Sequence, residues 1–369
     1  MIYKPFQDLN LSALGLGCMR LPQANDQIDI PAVKEMVAYA MAQGINYFDT
    51  AWGYHSGCSE PVMGQVLSEY PRESYFLATK FPGYAMENLE NKEEIFQQQL
   101  KRCQVEYFDF YLCHTVTESN IDQYLDPKYG FMEFLLEQKK LGRIRHLGFS
   151  THGSLETTKR FLDAWAGHME FCQVQLNWLD WDLQDAKAKV QMLNERNIPI
   201  WVMEPLRGGS LCQLAPEQEQ RLKQLRPDQT MPQWGFRFLE SVPGVTMTLS
   251  GMSNFRQLQE NVETFRESQP LNQEEIQALF AIAKEITAKN TLACTNCRYC
   301  VDFCPMELNI PKLIKLYNKH IYAGSTIDPA ELGDEKHPDD CVSCGACFKV
   351  CPQKIQIPQM MADLTRKLR

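Results

Sequence analysis

Eight of the fourteen cysteines fall near the C-terminus in two copies of one pattern. Cys294, Cys297, Cys300 and Cys304 are followed by Pro305; Cys341, Cys344, Cys347 and Cys351 are followed by Pro352. An iron–sulfur cubane needs four thiolates around one compact core. Three closely spaced sulfurs on a tight loop, plus one from elsewhere, meet that need. All-cysteine structural zinc usually draws on two CxxC pairs, which leaves the third cysteine and the Cys-Pro ending unexplained. Disulfides suit short secreted domains, and this chain of 369 residues is neither short nor visibly secreted. The runs therefore point to clusters that pass single electrons. Cys18, Cys58, Cys103, Cys113, Cys172 and Cys212 are scattered singly and read as packing thiols.

A second set of reactive groups comprises Asp49, Tyr54, Lys80 and His114. Each alone has a plain structural reading. Asp49 can cap a turn, Lys80 can reach out to solvent, His114 can be a satisfied core histidine, and Tyr54 can be loop packing. Their meaning depends on the elements that carry them.

Apolar, β-rich segments recur at 13–21, 45–51, 75–80, 107–114, 146–150, 171–177, 198–206 and 245–251. Helix-like runs lie between them at 31–43, 59–69, 92–105, 131–141, 153–166, 183–196 and 254–266. Strands alternating with helices over this length predict a (β/α)8 barrel. An open doubly wound sheet is the alternative, but GLGCMR lacks the third glycine of GxGxxG and no helix follows it directly. In such a barrel chemistry sits at the C-terminal strand ends. Asp49, Lys80 and His114 end three consecutive strands and Tyr54 lies just past Asp49, so all four are expected at one mouth. The loops at 204–211 and 250–254, with Gly208, Gly209 and Gly251 and a helix starting near Asn254, suit an anion. A helical stretch at 271–290 then leads to the cysteines. The boundary is expected near residue 285, giving domains 1–285 and 286–369.

Composition excludes several classes. A net charge of −9 argues against nonspecific nucleic-acid binding. No stretch approaches the roughly 18 apolar residues of a membrane helix, and the N-terminus lacks a secretory pattern. Unpaired cysteines without extracellular context predict a cytoplasmic location.

The cysteine runs resemble a bacterial two-cluster ferredoxin. That resemblance implies crossed ligation, with Cys294, Cys297, Cys300 and Cys351 on one [4Fe–4S] cluster and Cys341, Cys344, Cys347 and Cys304 on the other. It also implies a small α+β ferredoxin-like domain. The segments GLGCMRLP, FDTAWGYHSGCSE, FLATKFP, FDFYLCH, LGFSTHG, QVQLN, EPLRGG and GMSNFRQLQEN resemble the aldo/keto reductase family, in order, over residues 1 to 265. The whole arrangement looks like its ferredoxin-fused branch. The family's catalytic tetrad maps onto Asp49, Tyr54, Lys80 and His114. Lys80 is expected to lower the Tyr54 pKa and Asp49 to hold Lys80 protonated. By the same resemblance, Ser150 and Gln173 contact the nicotinamide carboxamide of NADPH or NADH. Arg207, Gly251, Ser253 and Gln257 line its phosphates, and Glu260 and Asn261 meet the adenine. Thr151, Met203, Gly251 and Gln257 depart from the commonest family pattern, which leaves the choice of nicotinamide open.

Hydride transfer moves two electrons together, whereas a cubane passes one. Three readings follow. In the first, an NAD(P)H-dependent carbonyl reductase carries clusters as an accessory. In the second, a flavin such as FMN, or a quinone-like substrate, exchanges electrons with the clusters at the barrel mouth. In the third, the chain is an electron carrier that docks a redox partner protein. The joint presence of Asp49, Tyr54, Lys80 and His114 favours an enzyme, with a small carbonyl compound as substrate.

Overall fold

A computed structural model describes residues 1–288, 291–323, 329–333 and 335–368. The chain forms two compact units. One comprises Met1–Pro205 with Asp228–Gln273, the other Leu206–Pro227 with Glu274–Arg369. Among the described residues no helix is long and apolar enough to cross a membrane.

The first unit is a closed barrel of eight parallel strands: β1 (Leu14–Gly17), β2 (Tyr47–Asp49), β3 (Phe76–Phe81), β4 (Phe108–Val116), β5 (Ile144–Thr151), β6 (Phe171–Gln175), β7 (Ile200–Met203) and β8 (Val245–Ser250). Each lies within or close to a segment expected from sequence. The strands are buried almost end to end, as parallel strands covered on both faces must be. Their order runs β1 to β8 and closes through β8 against β1. Two short helices' worth of sequence between β7 and β8 escaped the periodicity reading. Met231–Glu240 begins at a capping box in which Gln233 N–H donates to Thr230 Oγ1 and Thr230 N–H donates to Gln233 Oε1. Pro216–Leu225, which belongs to the second unit, begins with proline in its first turn.

A hairpin of Tyr3–Phe6 and Leu9–Ser12 precedes β1, also unforeseen because its turn at Gln7 (φ 51) carries no glycine. Phe6 plugs the N-terminal end of the barrel. Its ring centroid lies 5.0 Å from Trp201, 5.6 Å from Phe110 and 6.2 Å from Phe171. Burying such a side chain stabilises the fold by about 1.5–3 kcal/mol. The floor is thereby sealed with aromatic rings, and polar groups gather at the opposite end.

In the second unit, helices Ile310–Ala323 and Ile357–Leu368 pack Leu313, Ile314, Ile357, Met360, Met361 and Leu364 into one core with the cysteine-bearing turns. The duplication seen in sequence recurs in the backbone. Asn296 and Ser343 take φ 54 and 53, Arg298 and Gly345 take 67 and 75, and Glu307 and Lys354 take 54 and 53. The left-handed turns let closely spaced sulfurs face one centre. Asn318 anchors the entry to the first run by accepting from Leu292 N–H at 2.7 Å and donating to Leu292 O at 2.8 Å. The helix expected at 271–290 spans Gln273–Thr287, and residues 289–290 lie outside the described residues. So do residues 324–328, 334 and 369.

Candidate active site and cysteine cradle

The barrel brings Asp49, Lys80, Tyr54 and His114 together. Asp49 ends β2, Lys80 is the penultimate residue of β3, and the two strands are hydrogen-bonded neighbours. Lys80 Nζ donates to Asp49 Oδ1 at 2.5 Å and to Thr50 O at 2.7 Å. It lies 4.9 Å from the centroid of the Tyr54 ring, and the His114 ring meets Tyr54 edge-on at 6.0 Å. Tyr54 sits in a tight loop where Ser59 N–H and Gly57 N–H both donate to its carbonyl. His55, Ser56 and Gly57 turn through φ 52, 52 and 89. His55 is pinned by Leu21 N–H at 3.0 Å, and Trp52 carries the Arg102 guanidinium 3.6 Å from its ring centroid. After His114, Thr115 takes φ 54 and the β4–β5 register shifts, a bulge of the kind that re-aims a side chain at a barrel rim.

Burial governs the titration of these groups. It pushes the Tyr54 phenol well above its ordinary value, reinforced by Asp49, Cys18 and Glu204 and opposed by Arg20. The sequence-based expectation was the reverse. The reason is burial: the cost of desolvating a phenolate prevails, while Lys80 donates its hydrogen bonds to Asp49 and Thr50 and only faces the Tyr54 ring. Burial likewise raises the Asp49 carboxyl against the pull of Lys80. His114 is driven well below its usual value by burial, then by Lys80 and His152, so its imidazole is neutral at neutral pH. The Arg20–Glu204 pair, at 3.2 Å, was missed from sequence although both residues follow barrel strands. Tyr84, whose ring centroid lies 6.1 Å from His114, was missed as well. The strand-end rule that picked out Asp49 covers all three.

The expected cofactor contacts are in varied states. Gln173 is buried with its Oε1 unpartnered, an acceptor suited to a carboxamide N–H. Ser150 Oγ accepts from Thr115 N–H at 2.8 Å. Thr151 Oγ1 is directed to Val116 O at 3.2 Å. At the start of helix Phe255–Thr264, Asn254 Oδ1 accepts from Gln257 N–H and Gln257 Oε1 accepts from Ser253 N–H. Glu260 pairs with Arg256 at 2.7 Å, and Asn261 Nδ2 donates to Ser250 Oγ at 3.1 Å. A Cβ on Gly251 would meet the Arg20 side chain at 3.2 Å. Arg207 Nη2, in the second unit, donates to Ala293 O and Gln353 Oε1.

In the second unit, Cys304, Cys341, Cys344 and Cys347 line one cavity with Met306, Ile310 and Met361. Those four thiols are the set that crossed ligation assigns to one cluster. Burial raises the Cys300 thiol, then the neighbouring Cys297, Cys294, Cys351 and Cys347 raise it further. Burial also pushes Cys347 up to about 11, with Cys341, Cys304 and Cys344 adding to the shift. Among the described residues, no three such ligands converge on a single ion-sized point; the sulfurs line a wider cradle. The donor set and the apolar wall fit an iron–sulfur cluster. Cys58 is exposed, and Cys113 is buried with its thiol raised by burial.

Comparison with known proteins bears on both units. A model of the aldo/keto reductase family matches residues 13–284, and a model of the 4Fe-4S dicluster domain matches residues 293–355. The chain is 32% identical over 212 residues to probable aldo-keto reductase 1 of Glycine max, covering 55% of this chain and 58% of that protein. It thus spans little more than half of that relative's length. It is 24% identical to an uncharacterized oxidoreductase of Bacillus subtilis (strain 168), covering 75% of this chain and 94% of that protein. An NADH-specific methylglyoxal reductase of Escherichia coli (strain K12) is 27% identical, covering 55% and 66% respectively. Among solved structures, an aldo-keto reductase from Bacillus halodurans in its holo form superposes with TM-score 0.63 at 24% identity, covering 76% of this chain and 96% of that one. At that identity the likeness is one of fold.

Proposed function

Because the chain belongs to the aldo/keto reductase family and is an oxidoreductase with a 4Fe-4S ferredoxin-like domain, we propose that it reduces a small carbonyl compound with NAD(P)H at Tyr54. We further propose that its two cysteine runs hold two [4Fe–4S] clusters for electron transfer. The observation that carries the first part is the buried Lys80, held by Asp49 beneath the Tyr54 ring.

A reduced nicotinamide, when bound, supplies hydride to the carbonyl carbon. Tyr54, protonated at neutral pH, gives its Oη proton to the carbonyl oxygen, so that hydride and proton together make the alcohol. The Lys80 ammonium, which donates to Asp49 Oδ1, offsets the negative charge left on the phenolate. His114, neutral, hydrogen-bonds the substrate oxygen without adding charge to the pocket. Gln173 and Ser150 would hold the carboxamide, Gly251, Ser253 and Gln257 the phosphates, and Glu260 and Asn261 the adenine. Gly251 and Gln257 bring no charge to a 2′-phosphate, for which a bidentate arginine is the usual clamp. NADH therefore stands beside NADPH.

We assign Cys294, Cys297, Cys300 and Cys351 to one cluster and Cys304, Cys341, Cys344 and Cys347 to the other, within domains 1–285 and 286–369. The isolated thiols suit a reducing cytoplasm. The name of the Escherichia coli relative suggests methylglyoxal as the first assay substrate. Anaerobic holoprotein should oxidise NADH or NADPH when given methylglyoxal or another small aldehyde or ketone. Bleaching of the cluster absorbance by reduced nicotinamide would support electron transfer through the clusters. A flavin band, or no oxidation of either nicotinamide across a carbonyl panel, would defeat the reading.

A further inference from the structure

Arg207 is a buried cation, 5% exposed, in the segment that follows β7. Its Nη2 donates to the Ala293 carbonyl at 3.0 Å and to Gln353 Oε1 at 3.4 Å. Ala293 immediately precedes Cys294, and Gln353 stands two residues after Cys351. These cysteines come from different runs, yet crossed ligation puts them on the same cluster. One guanidinium thus joins the two chain segments that must meet to close that cage.

The backbone points the same way. Arg207 takes φ 52, a left-handed conformation that is strained for a residue with a Cβ and persists only where its surroundings over-determine it. Gly208 and Gly209 continue the turn at φ 64 and 90. The segment is bent so that the Arg207 side chain reaches the cysteine turns.

We propose that Arg207 clamps the cluster of Cys294, Cys297, Cys300 and Cys351 and sets its reduction potential above that of the thiolate cage alone. The inference rests on the crossed ligation proposed above. Four thiolates make the cage anionic, and one-electron reduction adds a further negative charge. A fixed cation hydrogen-bonded beside two of the ligands favours the reduced form. Burial lessens the screening of that charge. At the other cage the comparable cation is Lys336, which donates to Met306 O two residues after Cys304 but is exposed to solvent, so one potential should respond to Arg207 and the other should not.

Potentiometric titration of full-length, anaerobically reconstituted holoprotein, followed by electron paramagnetic resonance, tests this. The wild type should hold about eight iron atoms and show two one-electron waves. No cluster iron in the wild type would defeat the ligation and the clamp together. Gln353→Glu places a carboxylate against the guanidinium and should move one wave to lower potential while the other stays. That wave should be the one that Cys300→Ala abolishes. Arg207→Gln should lower the same wave or lose that cluster's half of the iron, and Arg207→Lys should fall between it and wild type. Should Arg207→Gln not fold, Gln353→Glu decides. Two clusters present with neither wave moved, or both moved equally, would overturn the clamp and leave the ligation standing.

Discussion

Lys80 Nζ lies 2.5 Å from Asp49 Oδ1, and the two side chains are 0% and 3% exposed. Two opposite charges are therefore held out of water at the one end of the barrel not sealed by aromatic rings. The pair is costly to break and fixes the lysine beneath a phenol.

Removing one partner should be worse than removing both. Lys80→Met strands the Asp49 charge and should cost roughly 3–5 kcal/mol, whereas Lys80→Met with Asp49→Leu should recover much of that. Urea unfolding followed by circular dichroism measures both. Equal stability of the single and double variants would show that the charges are not coupled.

Tyr54→Phe should lower carbonyl reduction by about 10²–10⁴-fold, the usual worth of a positioned general acid, while reduced nicotinamide still binds. Steady-state kinetics and cofactor fluorescence titration separate the two effects. Undiminished turnover would remove Tyr54 from the reaction.

The pH dependence follows from the directions of two shifts. Tyr54 is raised above its ordinary value and keeps its proton through mildly alkaline pH. His114 is lowered well below 6.5 and stays neutral on the acid side. The kcat/KM profile should thus be flat from about pH 6.5 to about 10; a limb inside that window counts against these assignments. Stability follows the same logic. As pH falls below the ordinary histidine value, the unfolded chain takes up a proton that His114 refuses, so its contribution is present above that pH and lost below it. His152, lowered to about 4 chiefly by burial, adds loss between 6.5 and 4.

Crossed ligation has its own test. Cys304→Ala should resemble Cys344→Ala in the resonance signal that disappears, and Cys351→Ala should resemble Cys297→Ala. Grouping by run instead would refute it.

Gly64 is a test of the scaffold. A Cβ there would stand 2.3 Å from Arg102 O and 2.7 Å from the Cys103 carbonyl carbon, backbone atoms of helix Lys92–Cys103. Gly64→Ala should destabilise by about 1–3 kcal/mol through overpacking, seen as a lower Tm. An unchanged Tm would mean that helices Ser59–Leu67 and Lys92–Cys103 can separate freely.

Local features carried the legible part of this protein. Cysteine spacing is local because the turns between ligands are short, and the eight strands stand out because a parallel strand is apolar along most of its length. The strand-end rule then gathered Asp49, Tyr54, Lys80 and His114, since barrel topology alone decides which end of a strand faces the mouth. The Tyr3–Phe6 hairpin, with no glycine in its turn, and the Met231–Glu240 helix, whose capping box was overlooked, escaped that reading.

What depends on burial and on distant partners had to come from the tertiary structure. The direction of the Tyr54 shift reversed because the desolvation of a phenolate, invisible in a list of charges, outweighs a lysine already committed to Asp49 and Thr50. Arg207 looked like a phosphate ligand beside two glycines, yet its guanidinium reaches Ala293 and Gln353, far along the chain. Residue types and spacing state which groups are present and how near they lie along the backbone. Which charge is spent on which neighbour, and how much water each group loses, arises only when the chain closes on itself.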